Sequence, residues 1–202
     1  MDPETAADRL RVHDVVLRGK HVRLRPLTEQ DWPLLLRWNQ DPEVVHYAEG
    51  HIAQGDDPQE VKAIYRGVSQ HASCFVAEAI VPLHHGEPIG EAWLQEMNLP
   101  RLLERFPGET LVRIDLMIGE KGFWGRGLGT EIIELLTWFA FEDRQADRVF
   151  GCDIADFNAR SLRAFEKNGY RLFTCIPQPP GGKSDVTYDV MLTRKQYLKE
   201  RT

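Results

Sequence analysis

The stretch that most restricts this chain is TLVRIDLMIGEKGFWGRGLGTEIIELLTWFAF, residues 110–141. Its apolar residues follow a strand over TLVRIDLMI and recur at helical spacing, on a wide face, over TEIIELLTWFAF. Between the two lies GFWGRGLGT, with glycine at 122, 125, 127 and 129. A strand that passes through a glycine-rich turn into a helix turns backbone N–H groups outward at the positive end of the helix dipole, where anions bind. Glycine lets that backbone approach a phosphate oxygen with no Cβ in the way. Spacing excludes two phosphate motifs. Gly125-x-Gly127-x-Gly129 is not the dinucleotide G-x-G-x-x-G, and Gly129 is followed by Thr130-Glu131 where a nucleotide P-loop needs Lys and Ser or Thr. GGKS at 181–184 fails as well, because the glycine required five residues before Gly182 is Pro177.

The flanking sequence completes an alternating α/β pattern. HVRLRPL alternates as a half-buried strand does. Thr28, Asp31 and Pro33 together mark a helix start, and Leu34, Leu35 and Trp38 form its apolar stripe. Asp57-Pro58 opens a second helix that runs through Val61, Ile64, Tyr65 and Val68. SCFVAEAIV and PIGEAWLQE are the two strands of a hairpin around LHHGE. RVFGCDI is a strand, NARSLRAFEKNG a helix stopped by Gly169, and YRLFTCI and VTYDVML two closing strands before a short helix after Thr193. The order β-α-α-β-β-β-α-β-α-β-β predicts a mixed sheet with a right-handed crossover at its centre. One domain over residues 1–202 is expected, with 1–14 a loose tail. Trp38 and Trp138 fall on apolar helix stripes and are expected in the core.

Composition narrows the function. A net charge of -6 argues against a nucleic-acid partner and leaves a cationic small molecule as the natural ligand class. No apolar run approaches the ~18 residues that span a bilayer, and MDPETAADRL lacks signal-peptide character. Cys74, Cys152 and Cys175 are odd in number and unpaired in spacing, which fits a reducing cytoplasm and neither a disulfide framework nor a zinc site, and all three read as inert core filling. His84-His85 has no third ligand near it in sequence, so no metal is expected. Arg101 and Arg105 lie among glutamates and read as a charged helix face. Asp115 interrupts LVRIDLMI, where Leu111, Ile114, Leu116 and Ile118 suggest burial on both faces. A charge there needs a reason: a chemical role, or an ion pair with Arg113 or Arg148.

The loop G-R-G-L-G after its strand, with N-x-x-S-x-x-x-F-E-K-x-G-Y about thirty residues on, resembles the GNAT superfamily of acetyl-CoA-dependent N-acetyltransferases over roughly residues 15–195. The resemblance implies an α/β (α+β) GNAT fold: a mixed, mostly antiparallel sheet of about seven strands, flanked by helices and splayed at its central parallel pair. It implies acetyl-CoA as cosubstrate. Backbone groups of Leu116, Met117 and Ile118 would pair with the pantetheine arm. Trp124, Gly125, Arg126, Gly127, Leu128, Gly129 and Thr130 would take the pyrophosphate, and Asn158 the pantetheine amide, with Ser161 and Phe165 as further cofactor contacts on the same helix. Two positions depart from the family: Trp124 stands where it usually has Gln or Arg, and Phe165 where it often has a tyrosine that protonates the leaving thiolate.

LRPLTEQDWPLLLRWNQDPEVVHYAEG, GEPIGEAW, RIDLMIG and TRKQY resemble the aminoglycoside 6'-N-acetyltransferases. That resemblance implies an aminoglycoside acceptor, and hence antibiotic resistance. Asp115 would take the proton of the reacting ammonium and Asp153 would help hold an acceptor amine. Glu91 and Asp185 are further candidate carboxylates, and Tyr47 and Trp93 candidate aromatic walls. Three other readings stay open: a siderophore-type hydroxylamine acyltransferase, an acetyltransferase of protein N-termini such as those of ribosomal proteins, and an acyl-CoA-binding sensor without turnover, which Phe165 favours. The oligomeric state is unspecified.

Overall fold

The alternation in HVRLRPL produces β2 (Val22–Pro26), paired antiparallel with β1 (Leu17–Arg18) on one side and β3 (Ala72–Ala79) on the other. The structure is a computed structural model that describes residues 9–48 and 57–199, so Glu49 and Gly50 of the acceptor motif lie outside the described residues. It divides into two compact units. The first comprises residues up to Trp93 with Leu116–Trp124, and the second Leu94–Asp115 with Gly125–Thr202.

In the first unit the expected helix start is present. The Thr28 N–H and hydroxyl both donate to Asp31 Oδ2, at 2.8 and 2.9 Å. Arg25 grips the same carboxylate through two nitrogens, at 2.9 and 2.7 Å. This fixes the entry to α1 (Trp32–Gln40), with Pro33 in its first turn. Asp41 caps α2 (Pro42–Tyr47) and Asp57 caps α3 (Pro58–Ser69). The helices cover β3 and β4 (Glu87–Glu96) with an apolar cluster that includes Leu35, Trp38, Val61, Tyr65, Val76 and Trp93. Residues 9–14, expected to be loose, are tied to the same layer: Leu10 is buried in that cluster, the Arg11 N–H donates to Ser69, and His13 bonds to the Cys74 carbonyl.

Burial opposes the charge on Asp31, but the hydrogen bonds from Arg25 and Thr28 outweigh it and hold the carboxyl below its usual range. A depressed carboxyl contributes stability that is complete above its unfolded value, about 3.9, and is lost as pH falls through the folded value. Asp31→Ala is expected to destabilise by about 2–3 kcal/mol at pH 7, at the low end for a broken buried pair because Arg25 keeps Glu78. Melts at pH 7 and pH 3 should show the gap between variant and parent closing in acid.

In the second unit β5 (Leu111–Met117) contributes its first five residues, and its last two belong to the first unit. Helix α4 (Pro100–Leu103) precedes it. Helix α5 (Leu128–Trp138) continues into a wider turn, Phe139–Asp143, and leads to β6 (Arg148–Ala155). Then come α6 (Ala159–Glu166), β7 (Arg171–Pro177), β8 (Val186–Thr193) and α7 (Arg194–Lys199). One eight-stranded sheet runs β1-β2-β3-β4-β5-β6-β8-β7. Its parallel pair, β5 with β6, is in register only from Leu111↔Arg148 to Arg113↔Phe150. The remainder of β5 has no registered β6 partner, as a splayed pair requires.

Two placements correct the sequence reading. Trp138 is 43% exposed, because the buried face of α5 is built from Leu128, Ile132, Ile133 and Leu136 and leaves Trp138 on the side of Glu134. Strand β7 lies at the sheet edge, which leaves Cys175 exposed instead of filling the core.

Candidate active site

At the glycine loop, Gly125 and Gly127 have φ of 73° and 83°, a left-handed backbone that L side chains rarely adopt. A Cβ at either position would meet no atom within 4 Å, so backbone conformation and not crowding demands glycine. Gly127 is the N-cap of α5, and no side chain caps it. The first-turn N–H groups of α5 therefore stand at the positive end of an 11-residue helix whose N-cap offers them no side-chain acceptor. These features fit a diphosphate held by main chain. Arg126 is exposed between the two glycines.

The Trp124 side chain is engaged within the first unit. Its indole N–H donates to the Ile118 carbonyl at 2.7 Å and its ring meets Tyr47 edge-on at 5.6 Å, so it braces the end of the segment that follows β5. The same segment is clamped at Gly119, where a Cβ would lie 2.2 Å from the Trp38 ring. At Gly90 on β4 a Cβ would lie 2.1 Å from the Met117 carbonyl oxygen, so β4 is pressed against the backbone of Met117. Leu116 and Ile118 are half-buried.

On α6 the Asn158 side chain accepts the Ser161 N–H at 3.2 Å, so both residues take part in the helix cap. Phe165 is 2% exposed. Its ring covers Gly151, where a Cβ would come within 2.6 Å of it, and meets Tyr170 at 5.0 Å. The aromatic ring expected among the cofactor contacts thus fills the core between α6 and β6.

Asp115 is not sequestered. Its side chain is 27% exposed, and β5 is only half-buried at Arg113, Asp115 and Leu116. The expected ion pair is with Arg113, which donates to both carboxylate oxygens at 2.8 and 2.6 Å. They are two apart on one strand and so share a face. Around them the second unit gathers further charge. Burial lowers the pKa of Arg113, but the charge and hydrogen bonds of Asp115, with a smaller contribution from Asp153, outweigh it, so the guanidinium stays charged. Burial pushes the Cys152 thiol up; Arg113 opposes this, and Asp189, Asp115 and Asp153 reinforce it. Asp115 and Asp153 therefore act on the same neighbours.

Asp153 sits at an irregularity in the β6–β8 register with φ of 55°, and its N–H donates to Asp189 Oδ1 at 3.0 Å. Arg101 then bridges the two acids, 2.8 Å from Asp153 and 3.0 and 3.1 Å from the Asp189 oxygens. Sequence reasoning missed this bridge and placed Arg101 on a solvated face. The available signal was Asp189 itself, a charge inside the apolar alternation of VTYDVML.

The other acceptor candidates each have contacts of their own. Glu91 is buried in the first unit, where its oxygens accept from the Tyr65 hydroxyl at 2.7 Å and the Trp93 indole at 3.2 Å. Trp93 is 7% exposed and packs in the apolar cluster beside Tyr65. Tyr47 is half-buried against Trp124. Asp185 is exposed in the β7–β8 loop, where its N–H donates to Asp156. Among the described residues no group of three or more His, Cys, Asp or Glu is placed to hold a metal ion, and no helix is long and apolar enough to cross a membrane.

A family model described as "Acetyltransferase (GNAT) domain" matches residues 21–171. The chain belongs to the GNAT acetyltransferase family. Its eight-stranded sheet, mostly antiparallel with the β5–β6 parallel pair, is the GNAT fold. A GNAT relative, aminoglycoside N(6')-acetyltransferase type 1 of Klebsiella pneumoniae, is 27% identical over 177 residues, 79% of each chain. A solved structure of AAC(6')-Ib with ribostamycin and coenzyme A superposes with a TM-score of 0.72 at 24% identity, covering 91% of this chain and 99% of that one. Spermidine N-acetyltransferase from Vibrio cholerae, solved with CoA and spermine, gives 0.71 at 16% identity, covering 89% and 99%.

Proposed function

We propose that this GNAT chain, acting as a single domain in the cytoplasm, transfers an acetyl group from acetyl-CoA to the 6'-amino group of an aminoglycoside. The observation that supports the acceptor assignment is that Asp115 and Asp153 are both partly exposed carboxylates held by a guanidinium, in a chain with a relative named for that activity. Acetyl-CoA supplies an activated thioester. The N–H groups of Gly125 to Thr130 hold its diphosphate, and, as the family resemblance implies, the main chain of Leu116, Met117 and Ile118 pairs with its arm.

Arg113 takes one acceptor position on each oxygen of Asp115, and a carboxylate has about four, so the same group can also receive an ammonium. In this reading Asp115 accepts the proton that the acceptor nitrogen must lose to attack, and Asp153 holds the acceptor in place. Holding both substrates on one protein supplies much of the acceleration. Phe165 has no proton to donate, so the departing thiolate, a stable anion for its class, takes its proton from solvent.

The spermidine acetyltransferase neighbour favours a second reading, a linear polyamine acceptor. Thiol release from acetyl-CoA separates the two. Turnover is expected with kanamycin, none with an aminoglycoside that carries a hydroxyl at the 6' position, and little with spermidine. Equal turnover with both aminoglycosides would refute the 6' assignment, and preference for spermidine would establish the second reading.

A further inference from the structure

We propose that Arg101 sets acceptor selectivity by acting as a built-in cation that limits how strongly the site favours acceptors with many ammonium groups. This rests on the reading of Asp115 and Asp153 as acceptor carboxylates. Asp189 is fully buried and holds the Arg101 fork on one side and the Asp153 N–H on the other. A carboxylate that deep does not give up its counter-ion, so Asp189 anchors Arg101 and also fixes the left-handed backbone of Asp153. The second contact of Arg101 is of a different kind. The Asp153 side chain is 40% exposed and that of Arg101 37%, so this link is a surface ion pair that an arriving ammonium can displace.

The Arg113–Asp115 pair is more buried, with side chains 14% and 27% exposed. Two carboxylates, Asp153 and Asp189, thus face the single guanidinium of Arg101, which leaves one excess negative charge there. A single ammonium neutralises it. Each further ammonium brought to this group meets Arg101 as a like charge, and a fixed like charge discriminates against the wrong ligand.

The test is initial-rate kinetics at saturating acetyl-CoA with kanamycin, a polycation, and with 6-amino-6-deoxyglucose, a sugar bearing one amine. Arg101→Gln is expected to raise the ratio of kcat/KM for kanamycin over the monoamine about tenfold, and Arg101→Lys, which keeps the charge, to leave that ratio within about twofold of the parent. If Arg101→Gln fails to fold because Asp189 is left charged and alone, Arg101→Gln combined with Asp189→Asn removes both charges and retains an acceptor for the Asp153 N–H. An unchanged ratio in a folded variant overturns the inference and leaves the acceptor reading standing. Absence of turnover with both sugars in the parent protein overturns both.

Discussion

Asp115→Asn is expected to lower kcat by about 10²–10³-fold, the loss typical of removing a positioned proton acceptor, and to leave KM for acetyl-CoA within about twofold. Asparagine keeps the shape and one acceptor oxygen for Arg113, and what disappears is the capacity to take a proton. A melting curve distinguishes this from damage to the fold. Arg113 is largely buried, and if Asp115 serves chiefly as its counter-ion, the variant will melt well below the parent and lose acetyl-CoA binding in proportion. A large kcat effect on an intact fold supports the chemical role, and parallel losses refute it.

Gly90→Ala is expected to be the most damaging single-methyl change in the first unit. The added carbon would lie 2.1 Å from the Met117 carbonyl oxygen and 2.9 Å from the Ile118 Cα, both backbone atoms that cannot rotate away. Overpacking of this kind costs about 3 kcal/mol, or roughly 6–12 °C in Tm for a chain of this size. The displaced atoms belong to the segment assigned to the cofactor arm, so affinity for coenzyme A should fall with stability, by about tenfold for a loss of ~1.4 kcal/mol in binding. Calorimetric titration of the folded variant with coenzyme A checks the second part. Undiminished affinity would show that this segment does not hold the cofactor.

What was legible in the sequence was local. The Thr28–Asp31 start, the Asp57 cap, the stop at Gly169 and the change of period across residues 111–138 all depend on neighbours a few positions apart, and each is found in the structure. Helices α2 and α4 were not foreseen, because six and four residues are too few to display a period. The anchoring of residues 9–14 escaped for the opposite reason: its partners lie 58 to 61 positions away.

The candidate site divides along the same line. The glycine loop announces itself, and Arg113 was one of two partners open to Asp115. Arg101 meets Asp153 and Asp189 across 52 and 88 positions, so no reading of its own neighbourhood could show what it faces. Trp124 and Phe165 are instructive in another way. Both stand at positions the family resemblance marks for the cofactor, yet their side chains make internal contacts, with the Ile118 carbonyl and with Gly151. A position can keep its place in a motif while its side chain takes on a scaffolding task.

Strand β5 carries Arg113 and Asp115 on one face, and from Ile114 onward it has no registered β6 partner. Side chains on a strand change face with every residue, and each residue advances the chain by about 3.3 Å. Inserting or deleting one amino acid between Ile114 and Met117 would swing the carboxylate through the sheet and shift every later amide along it. Descendants of this chain can exchange acceptors by substitution, or by remodelling loops elsewhere, but the length of that short run is the one dimension they cannot edit.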